Sequence, residues 1–188
     1  MTDPNIPNLH QFGNDRRRGN LLGIEPYMVP KDYASADAFY NKLNNYMLAA
    51  QREKWLNKKT IVVFPEYIGT WLVLAGESEN VFQATTLNSA EQKLVLHNLW
   101  KFITSLLISK EKGKTEAAFF RMKAEQMAEI YHTVFSRLAR EYAVTIVAGS
   151  TVLPTPQVSD RGLRPTKGSL YNISIVYGPD GTPYPWTR

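Results

Sequence analysis

The sequence predicts an α/β fold, because strand-like and helix-like segments alternate along its 188 residues. The clearest helix is predicted from about Glu116 to Tyr142, where apolar residues recur at three- and four-residue spacing. The clearest strand is TIVVF, Thr60–Phe64, which is rich in β-branched residues and too short for a helix. A chain of this length with 44% hydrophobic residues has enough apolar side chains for one folded domain.

The first third of the chain is predicted to contain an arm, a strand and a helix. Residues 1–19 carry Pro, Asn and Gly without periodicity and are expected to form an N-terminal arm, and the domain spans residues 20–188. Leu21–Val29 is interpreted as a short strand. The turn Asp32–Ser35 supplies capping residues for an amphipathic helix over Ala36–Trp55.

The middle of the chain begins with the Thr60–Phe64 strand. Its continuous apolarity is typical of a strand that is covered on both faces. The following YIGTWLVLA is predicted as a short helix or a second extended piece. Gln92–Lys110 is predicted to be helical, and KEKGK, Lys110–Lys114, to be an exposed turn.

The last third contains two predicted strands. Val144–Leu153 is β-branched and apolar, and Leu170–Tyr177 alternates with the two-residue period of a half-buried strand. Between them, Pro154–Gly168 is rich in Pro and Gly and is predicted to be a loop. Gly178–Gly181, with the sequence GPDG, is predicted to be a tight turn.

The charge pattern argues against nucleic-acid binding. The formal net charge is +5, but Lys and Arg are scattered, and the tight cluster is Arg16–Arg18. Basic residues do not alternate with stacking aromatics, as they do in nucleic-acid grooves. We therefore predict a mildly basic surface and no nucleic-acid partner.

The cysteine count and the apolar runs limit the class of protein further. The chain has no cysteine, so it holds no disulfide, zinc–cysteine site or thiol nucleophile. Its N-terminus lacks the apolar core of a signal peptide. The run Ile61–Ala75 is too short for a membrane span and contains Pro, Glu and Gly. No membrane association is predicted, and a cytoplasmic location is expected.

Several candidate sites do not have the residue spacing that their chemistry requires. His10, His97 and His132 lie far apart in sequence and do not form a ligand pair at helical spacing. Ser150 lacks the Gly-x-Ser-x-Gly pattern of a nucleophile elbow and is interpreted as a capping or loop serine. GNLLG, 19–23, lacks the third glycine of a dinucleotide-binding fingerprint.

Glu66 is the candidate that remains. It is the one charged side chain in the apolar run Ile61–Ala75 and comes directly after a predicted strand. Strand ends are where many α/β proteins place their chemistry. One interpretation is a structural ion-pair or capping residue. The other is a general base, since a partly desolvated carboxylate is suited to proton transfer near neutral pH.

The segment around Glu66 resembles a known family. VVFPEYIGTWL, 62–72, is similar to the first catalytic-glutamate segment of the nitrilase superfamily, the carbon–nitrogen hydrolases. Further similar segments follow in the family's order, and together they cover about residues 20–185, with an insert-like departure at 77–115. These segments are NLLGIEPYM, the Ala36–Trp55 helix, EYAVTIVAGSTVLP and LYNISIVYGPDG.

The resemblance implies a chemistry of which this chain holds one part. Family members use a Glu as general base, a Lys that stabilises developing charge and a Cys nucleophile. Only Glu66 carries over, because the chain has no Cys and stops at TPYPWTR, where the family's Lys is expected. Lys167 precedes the strand and is not a substitute. We therefore expect these residues to be the N-terminal portion of a longer enzyme.

The resemblance also implies a fold and a function. The fold is half of a four-layer α-β-β-α sandwich, a mixed sheet with helices on one face. The function is cleavage of a nitrile, amide or carbamoyl C–N bond in a small-molecule substrate, without a metal or organic cofactor, by a protein that forms homo-oligomers. Three alternatives stay open: an inert truncated pseudoenzyme or interaction module, an acyl-transferring relative, and an unrelated α/β binding domain in which Glu66 is structural.

Overall fold

The structure, a computed structural model, describes residues 8–13, 16, 18–76, 114–159 and 162–185. Two α-helices and six strands lie in these ranges, with short 3₁₀ helices at Pro30–Tyr33 and Thr70–Leu74. In chain order they are β1 (Asn20–Gly23), α1 (Ala36–Arg52), β2 (Thr60–Val63), α2 (Lys114–Tyr142), β3 (Thr145–Pro154), β4 (Gln157–Ser159), β5 (Gly162–Arg164) and β6 (Leu170–Tyr177).

Four of the strands form one mixed sheet, in the order β1-β2-β3-β6. β1, β2 and β3 are parallel, with Leu22 opposite Val62 and Val62 opposite Ile146. β6 runs antiparallel to β3, and the register shifts at a bulge between Ala148 and Ser150. Because β3 continues past the end of β2, its second half pairs, among the described strands, with β6 alone and forms a ribbon beyond the edge of the parallel sheet.

The helices pack on one face of this sheet, and the core lies between them and the strands. Phe135 of α2 is at its centre: its ring is 5.9 Å from that of Phe39 in α1, 5.2 Å from that of Phe64 and 6.4 Å from that of Tyr177 in β6. The Phe135 side chain of α2 therefore packs against both α1 and the sheet. All four of these aromatic residues are buried. The predicted α/β fold with a mixed sheet is confirmed.

The other face of the sheet is apolar and open in the described residues. Leu21 is 75% exposed, and its neighbours Ile61 and Val63 are 38% and 37% exposed. These side chains alternate with the buried Leu22 and Val62 along the same strands, so they point to the opposite face. The expectation that Thr60–Phe64 is covered on both faces is therefore not met within the described part of the chain.

The predicted strand Leu21–Val29 is shorter than expected. β1 ends at Gly23, although the backbone N–H of Ile24 still donates to the Val63 carbonyl at 2.9 Å. Pro26 has no N–H for a ladder, and the next N–H, that of Tyr27, donates to the hydroxyl of Tyr46 in α1. The helix predicted over Ala36–Trp55 is confirmed with its end at Arg52, and Ser35 Oγ caps it by accepting from the Ala38 N–H at 3.1 Å.

The segment Pro154–Gly168, predicted to be a loop, contains a small hairpin. β4 and β5 pair antiparallel, with Val158 opposite Leu163, and β5 contacts α2. Three-residue strands carry too few residues to show a two-residue period, so this prediction was wrong for a local reason. Leu170–Tyr177 and the turn at Gly178–Gly181, closed by a 2.8 Å hydrogen bond from the Gly181 N–H to the Gly178 carbonyl, are confirmed.

Two predictions fall outside the described residues: the helix over Gln92–Lys110 and the turn over Lys110–Lys114, of which only Lys114, the first residue of α2, is described. YIGTWLVLA, which was expected to be helical or extended, forms the 3₁₀ helix Thr70–Leu74. Among the described helices, none combines the length and apolarity that crossing a membrane requires.

Candidate functional site

The chain leaves the sheet directly after β2, and this exit places Glu66. Phe64 and Ile68 on either side turn inward and are buried, whereas the Glu66 side chain is exposed. The carboxylate therefore sits in an apolar stretch of sequence without being buried, because residues 66–69 form a turn. The expectation that its neighbours desolvate it does not hold in the described part of the chain.

Asn172 of β6 binds the Glu66 carboxylate. Its Nδ2 donates to Glu66 Oε1 at 2.9 Å. Asn172 lies opposite Val152 on the ribbon where β3 and β6 extend beyond β2, which brings it beside the turn. The other polar atom of this side chain, Asn172 Oδ1, is buried and has no hydrogen-bond partner among the described residues. The side-chain amide is therefore held by the hydrogen bond that its Nδ2 donates.

Tyr67 is the second group on this carboxylate. Burial raises the pKa of the Tyr67 hydroxyl, and a hydrogen bond to Glu66 and the charge of Glu66 act in the same direction. The hydroxyl therefore stays protonated as a donor. Tyr67 also has a φ of 64°, in the left-handed region that an aromatic residue rarely adopts, and such outliers cluster at functional sites.

Strand β3 holds the turn in place. The Tyr67 N–H donates to Ser150 Oγ at 2.7 Å, and the Gly69 N–H donates to the Ser150 carbonyl at 2.9 Å. A Cβ at Gly149 would lie against the Pro65 carbonyl oxygen, far inside van der Waals contact, so the close approach of the turn to β3 requires glycine there.

Tyr131 of α2 supports the same bulge from inside the core. Its buried hydroxyl lies 2.7 Å from the Gly149 carbonyl oxygen and also contacts that of Ala148, and it accepts from the Ile175 N–H of β6 at 3.4 Å. Burial raises the pKa of this hydroxyl, so it stays a donor to the carbonyls. One tyrosine thus satisfies the irregular backbone that the bulge leaves between β3 and β6.

The other residues considered as candidates from the sequence lie in different surroundings. His10 is exposed, and His132 is half-buried, with Nδ1 3.4 Å from the Tyr177 hydroxyl; His97 lies outside the described residues. Ser150, interpreted from sequence as a capping or loop serine, has its Oγ bound to a main-chain N–H. Within the described ranges, no three His or carboxylate side chains are grouped closely enough to hold a metal ion.

Sequence reasoning did not single out Tyr67 or Asn172 as site residues. Tyr67 was adjacent to the candidate glutamate, but a left-handed conformation leaves no signal in a residue that is neither Gly nor Asn. Asn172 did leave a signal in the sequence, because it lies within the predicted strand Leu170–Tyr177 and Asn is depleted in strands. Its contact with a residue 106 positions away follows from strand pairing and could not be predicted locally.

Comparisons of the chain with protein-family models, with curated proteins and with solved structures found no match.

Proposed function

We propose that this chain is the N-terminal part of a carbon–nitrogen hydrolase that cleaves a nitrile, amide or carbamoyl C–N bond of a small molecule, with Glu66 as general base. The observation that supports this most directly is the placement of Glu66. Its carboxylate lies at the carboxyl end of β2, exposed to an incoming substrate and oriented by donors from Asn172 and Tyr67.

The hydrogen bonds to Glu66 suit a proton-transferring group. A carboxylate has about four lone-pair positions, so two donors fix its orientation and leave capacity to accept a proton. Orientation matters because a general base must lie within hydrogen-bond reach of the proton that it abstracts. Asn172 and Tyr67 belong to different segments, so together they restrict rotation of the Glu66 side chain.

The rest of the reaction requires groups from outside these residues. The chain has no cysteine, so a thiol nucleophile would be supplied by another segment or chain. We assign the charge-stabilising lysine to another segment as well, because no lysine of this chain matches the family's motif for it. On an amide, the sulfur would bond to the carbonyl carbon while Glu66 takes the S–H proton and delivers it to the departing nitrogen. Water would then hydrolyse the thioester: Glu66 would accept the proton of the attacking water and return it to the sulfur as the carbon–sulfur bond breaks. A cytoplasmic location and homo-oligomerisation remain part of this proposal.

A second candidate function is an interaction module on the same scaffold without catalysis. The observation that favours it is the open apolar face around Leu21, Ile61 and Val63, since exposed apolar patches often mark binding surfaces. In that case Glu66, Tyr67 and Asn172 would stabilise the turn only.

The test is hydrolysis of a panel of nitriles, amides and carbamoyl compounds by the complete natural protein. We expect Glu66→Gln to lower turnover by about 10²- to 10⁴-fold, the usual contribution of a general base, with little change in the unfolding midpoint. Glu53→Gln, at an exposed glutamate just after α1, is the matched control and should keep full activity. Full activity in Glu66→Gln would refute the general-base role, and absence of hydrolysis in the parent would favour the interaction module.

A further inference from the structure

We propose that Ser150 is a positioning residue for Glu66, acting through the backbone of Tyr67. This inference rests on the proposed function for its significance, but its geometry stands on the contacts of the turn itself. Ser150 lies on β3, and its Oγ binds the backbone N–H of Tyr67, the residue that follows Glu66.

The first step is the conformation of Tyr67. Its φ of 64° is unfavourable for an aromatic residue and persists only where surrounding contacts impose it. The Tyr67 N–H is held at 2.7 Å by Ser150 Oγ, a side-chain acceptor on a neighbouring strand. The hydroxyl of Ser150 thus fixes the peptide between Glu66 and Tyr67, which sets the direction in which the Glu66 side chain leaves the backbone.

The second step is the stiffness of the support. Ser150 follows the bulge residue Gly149, whose carbonyl is bound by the buried Tyr131 hydroxyl at 2.7 Å. The Ser150 carbonyl accepts from the Gly69 N–H at the far end of the same turn. Both ends of the turn are therefore attached to one residue of a strand that is anchored in the core.

The third step connects this support to the other group on the carboxylate. Asn172 is on β6, which pairs with β3, and it lies near Ser150 in the same ribbon. If the Tyr67 peptide is fixed relative to β3, then Glu66 is fixed relative to Asn172. The 2.9 Å hydrogen bond between Asn172 Nδ2 and Glu66 Oε1 is the expected product of this alignment.

The test compares Ser150→Ala with Ser150→Thr, which keeps a hydroxyl, and with Ser169→Ala. Ser169 is an exposed serine just before β6 that binds Thr155 through its main-chain carbonyl, which alanine keeps, and it serves as the matched control. Two NMR measurements on the complete natural protein report on the geometry without requiring activity. One is amide hydrogen exchange at Tyr67 and Gly69. The other is the shift of the Asn172 side-chain amide signal caused by Glu66→Gln.

In Ser150→Ala we expect the Tyr67 N–H to exchange about fivefold to tenfold faster, while Gly69, bound to a main-chain carbonyl, changes little. We also expect Glu66→Gln to stop shifting the Asn172 amide signal, because the two side chains are no longer aligned. Ser150→Thr and Ser169→Ala should behave as the parent does.

Persistence of the Asn172 response in Ser150→Ala would overturn the positioning role. So would an equal loss in Ser169→Ala, or global unfolding of Ser150→Ala, since either would show a general contribution to folding. Failure of the proposed function has a different signature: Glu66→Gln would retain activity in the complete protein while these NMR results remained as expected.

Discussion

The side chain of Asn172 donates a 2.9 Å hydrogen bond to Glu66 and so joins β6 to the turn after β2 across 106 sequence positions. The bond is polar, exposed on its Glu66 side and formed at a sheet edge where β3 and β6 extend past β2. It makes the orientation of the carboxylate depend on the correct pairing of two distant strands. A mispaired or slipped β6 would remove the donor from Glu66.

Replacing Asn172 with Asp is expected to reverse the sign of this interaction. A carboxylate would then face the Glu66 carboxylate, and like charges at this distance repel and are screened by salt. We expect Asn172→Asp to lower the free energy of unfolding by about 1 kcal/mol at low salt and by less at high salt. The measurement is urea unfolding at two salt concentrations.

Glu66→Gln supplies the control for that substitution. Combined with Asn172→Asp it removes one of the two charges, so the salt-dependent part of the loss should disappear in the double variant. If Asn172→Asp costs the same stability in the parent chain and in the Glu66→Gln background, the two side chains are not coupled, and the hydrogen bond contributes nothing measurable.

Gly149→Ala is expected to destabilise the protein strongly. The added Cβ would meet the Pro65 carbonyl oxygen and the Ile68 side chain, and a backbone oxygen cannot rotate away as a flexible side chain can. Overpacking of this kind costs about 1–3 kcal/mol, and we expect the upper end. Gly23→Ala, in β1, is the control, because a Cβ there has no neighbour within 4 Å. Equal urea midpoints for the two variants would contradict the close packing of the turn on β3.

The fold was predictable where a segment carries its own periodicity. The helix ending at Tyr142 and the strand Leu170–Tyr177 have enough residues to show a helical or two-residue period, and both were predicted with nearly correct bounds. The β4–β5 hairpin was missed because its strands are three residues long.

The candidate site was predictable only in part, for a related reason. Glu66 stood out because a charge in an apolar run is a local signal. Its exposure, its bond to Asn172 and the support from Ser150 arise from a turn and from strand pairing, which join residues far apart in sequence. The resemblance to carbon–nitrogen hydrolases covered the segments that contain Ser150 and Asn172, but it implied a role only for the glutamate.

His132 is expected to make stability fall in mildly acidic solution. Burial lowers the pKa of this histidine below its ordinary value of 6.5, and the nearby charge of Arg140 acts in the same direction. The unfolded chain therefore binds a proton more readily than the folded one, so the stability associated with neutral His132 is present above about pH 7 and is lost as the pH falls below about 6.5.

The measurement for His132 is the free energy of unfolding between about pH 7.5 and pH 5, compared between the parent chain and His132→Gln. We expect the parent to lose more stability than the variant over this window. The lowered pKa values of Glu141 and Asp180 produce losses at lower pH, so they do not mask the comparison. Parallel pH profiles would show that His132 has the same proton affinity in both states.

The open sheet face gives the last prediction, which concerns the 188-residue chain made alone. Leu21, Ile61 and Val63 form an apolar row on neighbouring strands, and they are exposed in the described structure. Soluble monomers rarely leave contiguous apolar patches of more than a few hundred Å² uncovered. We expect the purified chain to associate in light scattering or to bind the dye ANS, and to hydrolyse no nitrile or amide, because it has no cysteine to form the thioester.

Substitution of single residues separates this surface effect from general instability. Ile61→Lys places a charge on the open face and should reduce both dye binding and association. Val62→Lys, one position along β2, places the same charge in the core and should unfold the chain, since Val62 is fully buried. A dye-silent monomer in the parent chain would contradict an open apolar face. Hydrolysis that depends on Glu66 in this cysteine-free chain would contradict the thioester route.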